Sequence, residues 1–182
     1  MNLRVRILHS LKQKYRFILM LLLIAFMMVN LIACCVYSFT GSSVPGHLKT
    51  IAIPITQDRS GAGVPGLREM LTQELMTQFI DDNSLQVTER TLADALLECT
   101  IISFSDAPSI VAAGESVEQR RVTITVQVIY KDLVKKINIF DNRFSNYGDY
   151  QSGTTESLRI EASEVAVNKI AEDILLAVVS GW

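Results

Sequence analysis

The sequence predicts an α+β two-layer sandwich, with two helices packed on one face of a mostly antiparallel sheet of about four strands. From Arg121 to Tyr130 apolar and polar residues alternate, which is the pattern of a strand with one face on a core. After Leu67 and again after Thr154, apolar residues recur with helical spacing. Amphipathic helices and half-buried strands bury their apolar faces against each other, and this gives the two-layer arrangement.

The first half of the domain is predicted to contain one helix between strands. The predicted segments are a strand at 49–55, a loop at 56–66, a helix from 67 to about 82, a short strand at 85–89 and a buried strand at 93–104. In the first strand Ile51, Ile53 and Ile55 alternate with smaller residues. Residues 92–97 could instead form a helical turn, because a short apolar run does not distinguish the two.

The second half is predicted to contain a hairpin followed by a long helix. The segments are a loop at 106–119, a strand at 121–130, a turn at 131–136, a partner strand at 137–144, a loop-like tail at 145–153 and a helix at 154–179. Pro108 and Gly114 indicate the loop. Thr154 or Thr155 can cap the helix, and Gly181 can end it.

The N-terminal residues have the organisation of a bacterial lipoprotein signal. Five basic residues precede an uncharged run from Phe17 to Met28, and Leu31-Ile32-Ala33-Cys34 follows. This tetrapeptide resembles a lipobox, in which the cysteine receives a diacylglyceryl group and becomes the mature N-terminus. We therefore predict a signal peptide at 1–33, a lipidated tether at 34–48 beginning at Cys34, and a single α+β domain at 49–182. Alternatively, 17–33 is an uncleaved signal anchor at the short end of a membrane-spanning length.

The exported part is acidic, although the whole chain is nearly neutral. Removing residues 1–33 leaves 149 of the 182 residues, enough for one domain with its own core. That part contains 12 basic and 19 acidic residues, a net charge of −7. General affinity for nucleic acid is therefore not expected.

Five short segments follow one another in an order and spacing that resemble one family. They are YSFTGSS at 37–43, KTIAI at 49–53, LTQEL at 71–75, ADALL at 93–97 and FSNYG at 144–148. After a lipidated cysteine, they resemble the lipopolysaccharide-assembly lipoproteins of the LptE family, in the form seen in Bacteroidetes- and Chlorobi-like bacteria. The resemblance implies two helices on one side of a sheet, and a domain seated in a large outer-membrane β-barrel (LptD). It also implies a lipid-anchored protein at the periplasmic face of the outer membrane that helps to place lipopolysaccharide in the outer leaflet.

The alternative hypothesis is an independent envelope lipoprotein that binds a small molecule or glycan in a pocket. A protein that plugs a barrel should be unstable or scarce without its partner, whereas an independent binder should not. The sequence itself does not separate these two classes.

Basic residues of the exported part are concentrated in the predicted hairpin. The span from 120 to 143 contains six of the 12, namely Arg120, Arg121, Lys131, Lys135, Lys136 and Arg143, against Asp132 and Asp141. Lipid A carries phosphates, which Arg and Lys clusters bind through charge-assisted hydrogen bonds. The predicted lipopolysaccharide contacts are Arg120, Arg121, Lys131, Lys135 and Lys136. Alternatively, these are solvated charges that protect the ends of a hairpin.

No arrangement of residues in the sequence points to catalysis or to a cofactor. His47 is the one histidine after residue 33, and no acid–base partner lies near it in the sequence. Cys34, Cys35 and Cys99 do not have zinc-binding spacing with it. Cys99 lies in an apolar run and is expected to be a small buried hydrophobe. We predict that the protein is not an enzyme and that it binds no cofactor or metal.

Overall fold

The computed structural model describes residues 44–61, 64–111, 117–153 and 156–180, together with Met20. The chain divides after Gly41 into two units, and the elements below all lie in the second. They are β1 (Thr50–Ala52), β2 (Gln57–Asp58), α1 (Leu67–Asp82), β3 (Gln86–Val87), β4 (Ala95–Val111), β5 (Val117–Asp132), β6 (Ile137–Gln151) and α2 (Glu156–Ser180). The predicted signal peptide, apart from Met20, and Cys34 lie outside the described residues.

The sheet has six strands, ordered β3-β1-β4-β5-β6, with β2 beside β4. The long strands β4, β5 and β6 pair antiparallel, whereas the short pairs β1–β3, β1–β4 and β2–β4 are parallel. In each parallel pair, α1 lies between the two strands in the sequence. It supplies the crossover connection that parallel strands need. Both helices pack on one face of the sheet. The predicted two-layer α+β fold is therefore confirmed.

The core lies between the helices and the inward face of the long strands. In β5 the inward residues Val122, Ile124, Val126 and Val128 have no exposed surface, and Tyr130 is 2% exposed. The residues between them are half-buried and lie on the opposite face, which we call the open face. This confirms the alternation predicted for residues 121–130. Cys99 is also buried, as predicted.

Two segments that were predicted to be loops are strands instead. The loop predicted at 106–119 is wrong for 106–111 and 117–119, because β4 continues to Val111 and β5 begins at Val117, whereas 112–116 lie outside the described residues. Residues from Asp106 to Pro108 pair with Val122 to Arg120, and the register shift after Pro108 lets the strand accommodate a residue without an N–H. The tail predicted at 145–153 is also wrong up to Gln151, because it pairs with β5 along that length. Its polar side chains are tolerated because β6 is an edge strand with most residues exposed.

The other predicted boundaries need smaller corrections. β4 begins at Ala95, so the alternative helical turn at 92–97 is wrong. The turn predicted at 131–136 covers only 133–136, since β5 extends to Asp132. The first strand is three residues long rather than seven, and Ile55 beyond it is 66% exposed.

Helix α2 packs against β6 at a residue without a side chain. A Cβ atom built on Gly148 would lie 2.0 Å from the carbonyl oxygen of Ala162. Gly148 is buried, and Ala162 and Ala166 on the facing side of α2 are buried as well. Small residues on both elements therefore allow helix and strand to approach at backbone distance. Asn168 donates from Nδ2 to Oε1 of Glu74 at 2.8 Å, which joins α2 to α1.

Candidate functional site

The five predicted contact residues lie in two groups at opposite ends of the β5–β6 hairpin. Arg120 and Arg121 lie near the start of β5, whereas Lys131 lies at its end and Lys135 and Lys136 in the turn that follows. Ten residues separate Arg121 from Lys131, which corresponds to roughly 33 Å along a strand. The fold does not bring the five residues into one cluster. We call the groups the arginine end and the turn end.

At the arginine end, Arg120 belongs to a hydrogen-bonded cluster on the helix-facing side of the sheet. Its Nε atom donates to Oδ1 of Asp106 at 2.9 Å and to the hydroxyl of Tyr150 at 3.0 Å. The Tyr150 hydroxyl in turn donates to Oδ2 of Asp106 at 2.7 Å. Burial and the hydrogen bond to Asp106 raise the pKa of Tyr150. Arg120 is therefore already neutralised by a carboxylate.

Arg121 forms a second ion pair on the open face. Its Nε and Nη2 atoms donate to both carboxylate oxygens of Asp149, at 2.7 and 2.9 Å. The hydrogen bond from Arg121 lowers the pKa of Asp149. The guanidinium carbon lies 3.7 Å from the centre of the Tyr147 ring, and Nζ of Lys169 lies 4.9 Å from the same ring. The arginine end thus combines cations, an aromatic ring and carboxylates in place of a free cationic cluster.

At the turn end, two of the three lysines remain available. Lys131 forms a close ion pair with Glu98 on the neighbouring strand. Lys135 and Lys136 are exposed and form no ion pair among the residues that the structure describes. Lys136 has a φ of 58°, as the tight turn requires. Hydrophobic side chains beside these lysines are exposed too, including Val134 at 56% and Ile137 at 53%.

The base of the turn is joined to the N-terminal segment of the domain. Nε2 of His47 lies 2.6 Å from Oδ2 of Asp132, and Oδ1 of Asp132 accepts the Lys135 N–H at 2.8 Å. Burial alone would raise the pKa of Asp132, but the hydrogen bonds from Lys135 and His47 outweigh it and lower the pKa. The structure therefore supplies a carboxylate partner for His47 that lies 85 residues away in the sequence.

A second carboxylate, Asp94, reinforces this attachment. Its Oδ2 accepts the N–H groups of Lys49 and Thr50 at 3.0 and 3.1 Å, and the Thr50 hydroxyl at 3.0 Å. These hydrogen bonds, first that from Lys49, lower the pKa of Asp94. The carbonyl of Asp94 accepts the N–H of Leu133 at 2.8 Å. The two aspartates thus hold the entering chain, the start of β4 and the turn together.

A groove of about 460 Å³ lies on the open face, beside β2. Ile55 and Ile129 supply apolar surface, and Arg59, Arg90 and Glu98 supply charge. This volume is within the range of small-molecule pockets. The groove was not predicted, because β2 reaches β4 only through long-range pairing.

The described residues hold no group of three His, Cys, Asp or Glu side chains that could bind a metal ion. Among the same residues, no helix has both the length and the apolar composition needed to cross a membrane.

Comparison with protein families identifies the domain. The model of the lipopolysaccharide-assembly family LptE matches residues 48–178, which includes every strand and almost all of α2. The chain belongs to the LptE family. Membership confirms the resemblance found in the sequence and indicates a lipopolysaccharide-assembly role. It also confirms that the protein is not an enzyme, since this is a family of non-catalytic assembly lipoproteins.

Solved structures show the same fold at low sequence identity. A hypothetical protein from Chlamydia trachomatis superposes with a TM-score of 0.56 and 12% identity, over 72% of this chain and 95% of that chain. A protein from Xanthomonas campestris gives a TM-score of 0.55 and 12% identity, over 77% and 91% of the two chains. No curated protein matches the sequence significantly. At these identities the structural likeness shows the fold alone, and the family assignment depends on the family model.

Proposed function

We propose that this protein is an outer-membrane lipoprotein that acts with a β-barrel partner of the LptD type to place lipopolysaccharide in the outer leaflet. The observation that carries the proposal is the match to the LptE family over residues 48–178. The lipobox-like sequence ending at Cys34 supports attachment to the periplasmic face of that membrane. The two-layer domain would then be seated in the barrel.

The partner is tested by purifying the full-length chain from its own bacterium in mild detergent, through a C-terminal tag. We expect one β-barrel protein to co-purify in a fixed ratio, and we expect this protein to become scarce when the barrel is depleted. Membranes from a strain that expresses an unrelated tagged lipoprotein serve as the control. Normal abundance without a barrel in the eluate would contradict the proposal.

The lipid anchor is tested by metabolic labelling with palmitate. Labelling should disappear in Cys34→Ala and persist in Cys35→Ala, because only Cys34 follows a small residue in the lipobox-like sequence. The reverse result would move the anchor to Cys35. An unlabelled, full-length product in the wild type would support the alternative signal anchor instead.

The proposed lipopolysaccharide contacts are the five basic residues of the hairpin, and their separation makes two independent tests possible. Arg120→Gln with Arg121→Gln removes the arginine end, and Lys135→Gln with Lys136→Gln removes the exposed lysines of the turn end. If these residues contact phosphates, the substitutions should weaken lipopolysaccharide binding at low salt, and the loss should shrink at high salt because screening removes the charged contribution. Arg68→Gln is a matched control, since Arg68 is an exposed arginine on α1 that is paired with Glu69.

Folding should change little in the turn-end variant, because Lys135 and Lys136 are exposed and surface charges usually contribute less than about 1 kcal/mol. The unfolding midpoint of the arginine-end variant is measured alongside binding, because Arg120 is half-buried and pairs with Asp106. Unchanged lipopolysaccharide affinity in both double variants would exclude the hairpin as the lipid site. Lost co-purification with intact lipid binding would make the altered end a surface that contacts the barrel.

The open-face groove is the observation that favours the second candidate function, an independent small-molecule or glycan binder. In that case Arg59→Gln with Arg90→Gln should abolish binding of the ligand, and the abundance of the protein should not depend on a barrel. If the abundance of the protein depends on the barrel and this double variant functions normally, the second candidate is excluded.

A further inference from the structure

The N-terminal tether enters the domain at the turn end of the hairpin. The His47–Asp132 contact of 2.6 Å and the Lys135–Asp132 hydrogen bond of 2.8 Å fix the entering chain against the turn at 133–136. Ten residues separate Cys34 from Val44, and a chain of that length reaches at most about 35 Å. A membrane that holds Cys34 is therefore at most about 35 Å from the point where the chain enters the domain, which is at the turn end.

Exposed apolar side chains protrude at the same end. Val134 is 56% exposed, Ile137 53% and Ile139 40%, and these three lie in or directly after the turn. Soluble surfaces rarely gather several large apolar side chains in one small region without a partner.

A fourth exposed apolar residue lies two residues before a backbone hydrogen bond to the turn. Leu92 is 72% exposed. Its carbonyl accepts the Thr50 hydroxyl at 3.3 Å, and two residues later the Asp94 carbonyl accepts the Leu133 N–H at 2.8 Å. The chain is thus joined to the turn two residues after Leu92.

The charge of this surface is positive. Lys135 and Lys136 are exposed and have no ion pair among the described residues. Two carboxylates at this end of the domain, Asp94 and Asp132, are already occupied: both accept backbone N–H groups, and Asp132 also contacts His47. We call the resulting surface the anchor-side patch, and it consists of Leu92, Val134, Lys135, Lys136, Ile137 and Ile139.

We propose that the anchor-side patch docks on the anionic phospholipid surface that holds the N-terminus of the chain. The inference rests on the membrane attachment that is part of the proposed function, and it assigns Lys135 and Lys136 to phospholipid in place of the lipopolysaccharide contact proposed for them above. Exposed apolar side chains enter the boundary between headgroups and acyl chains, while neighbouring lysines contact anionic headgroups. The anchor keeps the patch at high local concentration beside the surface, so individually weak contacts are enough. Docking directs the arginine end away from the membrane, because it lies roughly 33 Å along the strand from the turn.

The experiment uses the full-length anchored chain in vesicles of three parts phosphatidylethanolamine to one part phosphatidylglycerol, without lipopolysaccharide. Trp182, the one tryptophan, is replaced by Phe, and Val134→Trp then reports contact with lipid through quenching by brominated acyl chains. Val165→Trp is the matched control, since Val165 is 43% exposed and lies three residues from Ala162, which contacts Gly148. Gly148 pairs with Val122, next to the arginine end.

We expect quenching and a blue shift for Val134→Trp and neither for Val165→Trp. Adding Lys135→Gln and Lys136→Gln should lower the equilibrium constant for docking about fivefold per lysine. The equilibrium constant for docking should be lowered similarly on vesicles of pure phosphatidylcholine, because they lack the anionic headgroup.

If the two tryptophans are quenched equally, or if neither is quenched, the inference is overturned. Loss of quenching when free lipopolysaccharide or the purified barrel is added would also overturn it, because the patch would then belong to that ligand. A lipid anchor and a signal anchor would both hold the N-terminus of the chain at the membrane. Failure of acylation at Cys34 would therefore contradict only the assignment of the lipid anchor and not the docking of the patch.

Discussion

Replacing Gly148 by alanine should strongly destabilise the domain, because the added methyl group has no space. Its Cβ would lie 2.0 Å from the carbonyl oxygen of Ala162, 2.8 Å from the carbonyl carbon and 3.0 Å from Cα. All three are backbone atoms of α2, so no side-chain rotation relieves the overlap. The helix must move by about 1.5 Å to restore a normal separation of roughly 3.5 Å.

That displacement affects the whole interface of α2. The helix buries eight residues, and a gap of 0.5–1 Å already loses about a quarter to a half of the dispersion attraction at each contact. Overpacked core positions typically cost about 1–3 kcal/mol. A backbone clash belongs at the upper end, so we expect Gly148→Ala to cost about 3 kcal/mol. For a domain of this size that lowers the melting temperature by about 10 °C.

The assay is thermal and urea unfolding of the full chain in mild detergent, followed by circular dichroism. Gly46→Ala is a matched control, since nothing lies within 4 Å of a Cβ there and Gly46 is not among the positive-φ glycines. We expect the control to change stability by less than about 0.5 kcal/mol. Equal unfolding midpoints for the two variants would refute the close approach of α2 and β6.

Three further predictions concern buried groups. Val126→Asp places an unpaired charge in the core and should cost about 4 kcal/mol or more, whereas Gln127→Asp on the open face should cost about 1 kcal/mol or less, as compared by urea midpoints. Asp132→Asn should destabilise the domain at neutral pH, and its deficit relative to the wild type should shrink as the pH falls below about 4 through the lowered pKa of Asp132. A deficit that is the same at pH 3 and pH 7 would show that the charge of Asp132 is unimportant. Burial raises the pKa of Cys99 to about 12, so iodoacetamide at pH 8 should modify it only after denaturation.

The elements that burial determines could be predicted from the sequence. The strand containing Val126 and both helices follow from apolar periodicity, because one face of each must avoid water. The strand residues around Asp106 and Pro108 could not be predicted in this way. They are polar or lack an N–H, and they are extended only because β5 lies opposite with hydrogen-bonding groups to satisfy.

The candidate site could likewise be predicted only in part from the sequence. Charge density along the chain drew attention to the basic residues of the hairpin, whose role stays a prediction, but their carboxylate partners depend on strand register. Asp106 is 14 residues from Arg120, and Asp149 is 28 from Arg121. The His47–Asp132 contact depends on the chain entering beside the hairpin turn, which no local pattern encodes.

The position of α2 after the long strands in the sequence has a consequence for the order of folding. A chain emerges N-terminus first from the ribosome or from an export channel, so the inward face of β5 appears before the 25-residue helix that covers it. Until that helix arrives, Val122, Ile124 and their neighbours remain accessible to water and to other unfinished chains. Exposed apolar strands of this kind are prone to aggregate and are the usual clients of holding chaperones. The interval between the appearance of β5 and that of α2 is therefore when the domain most needs protection.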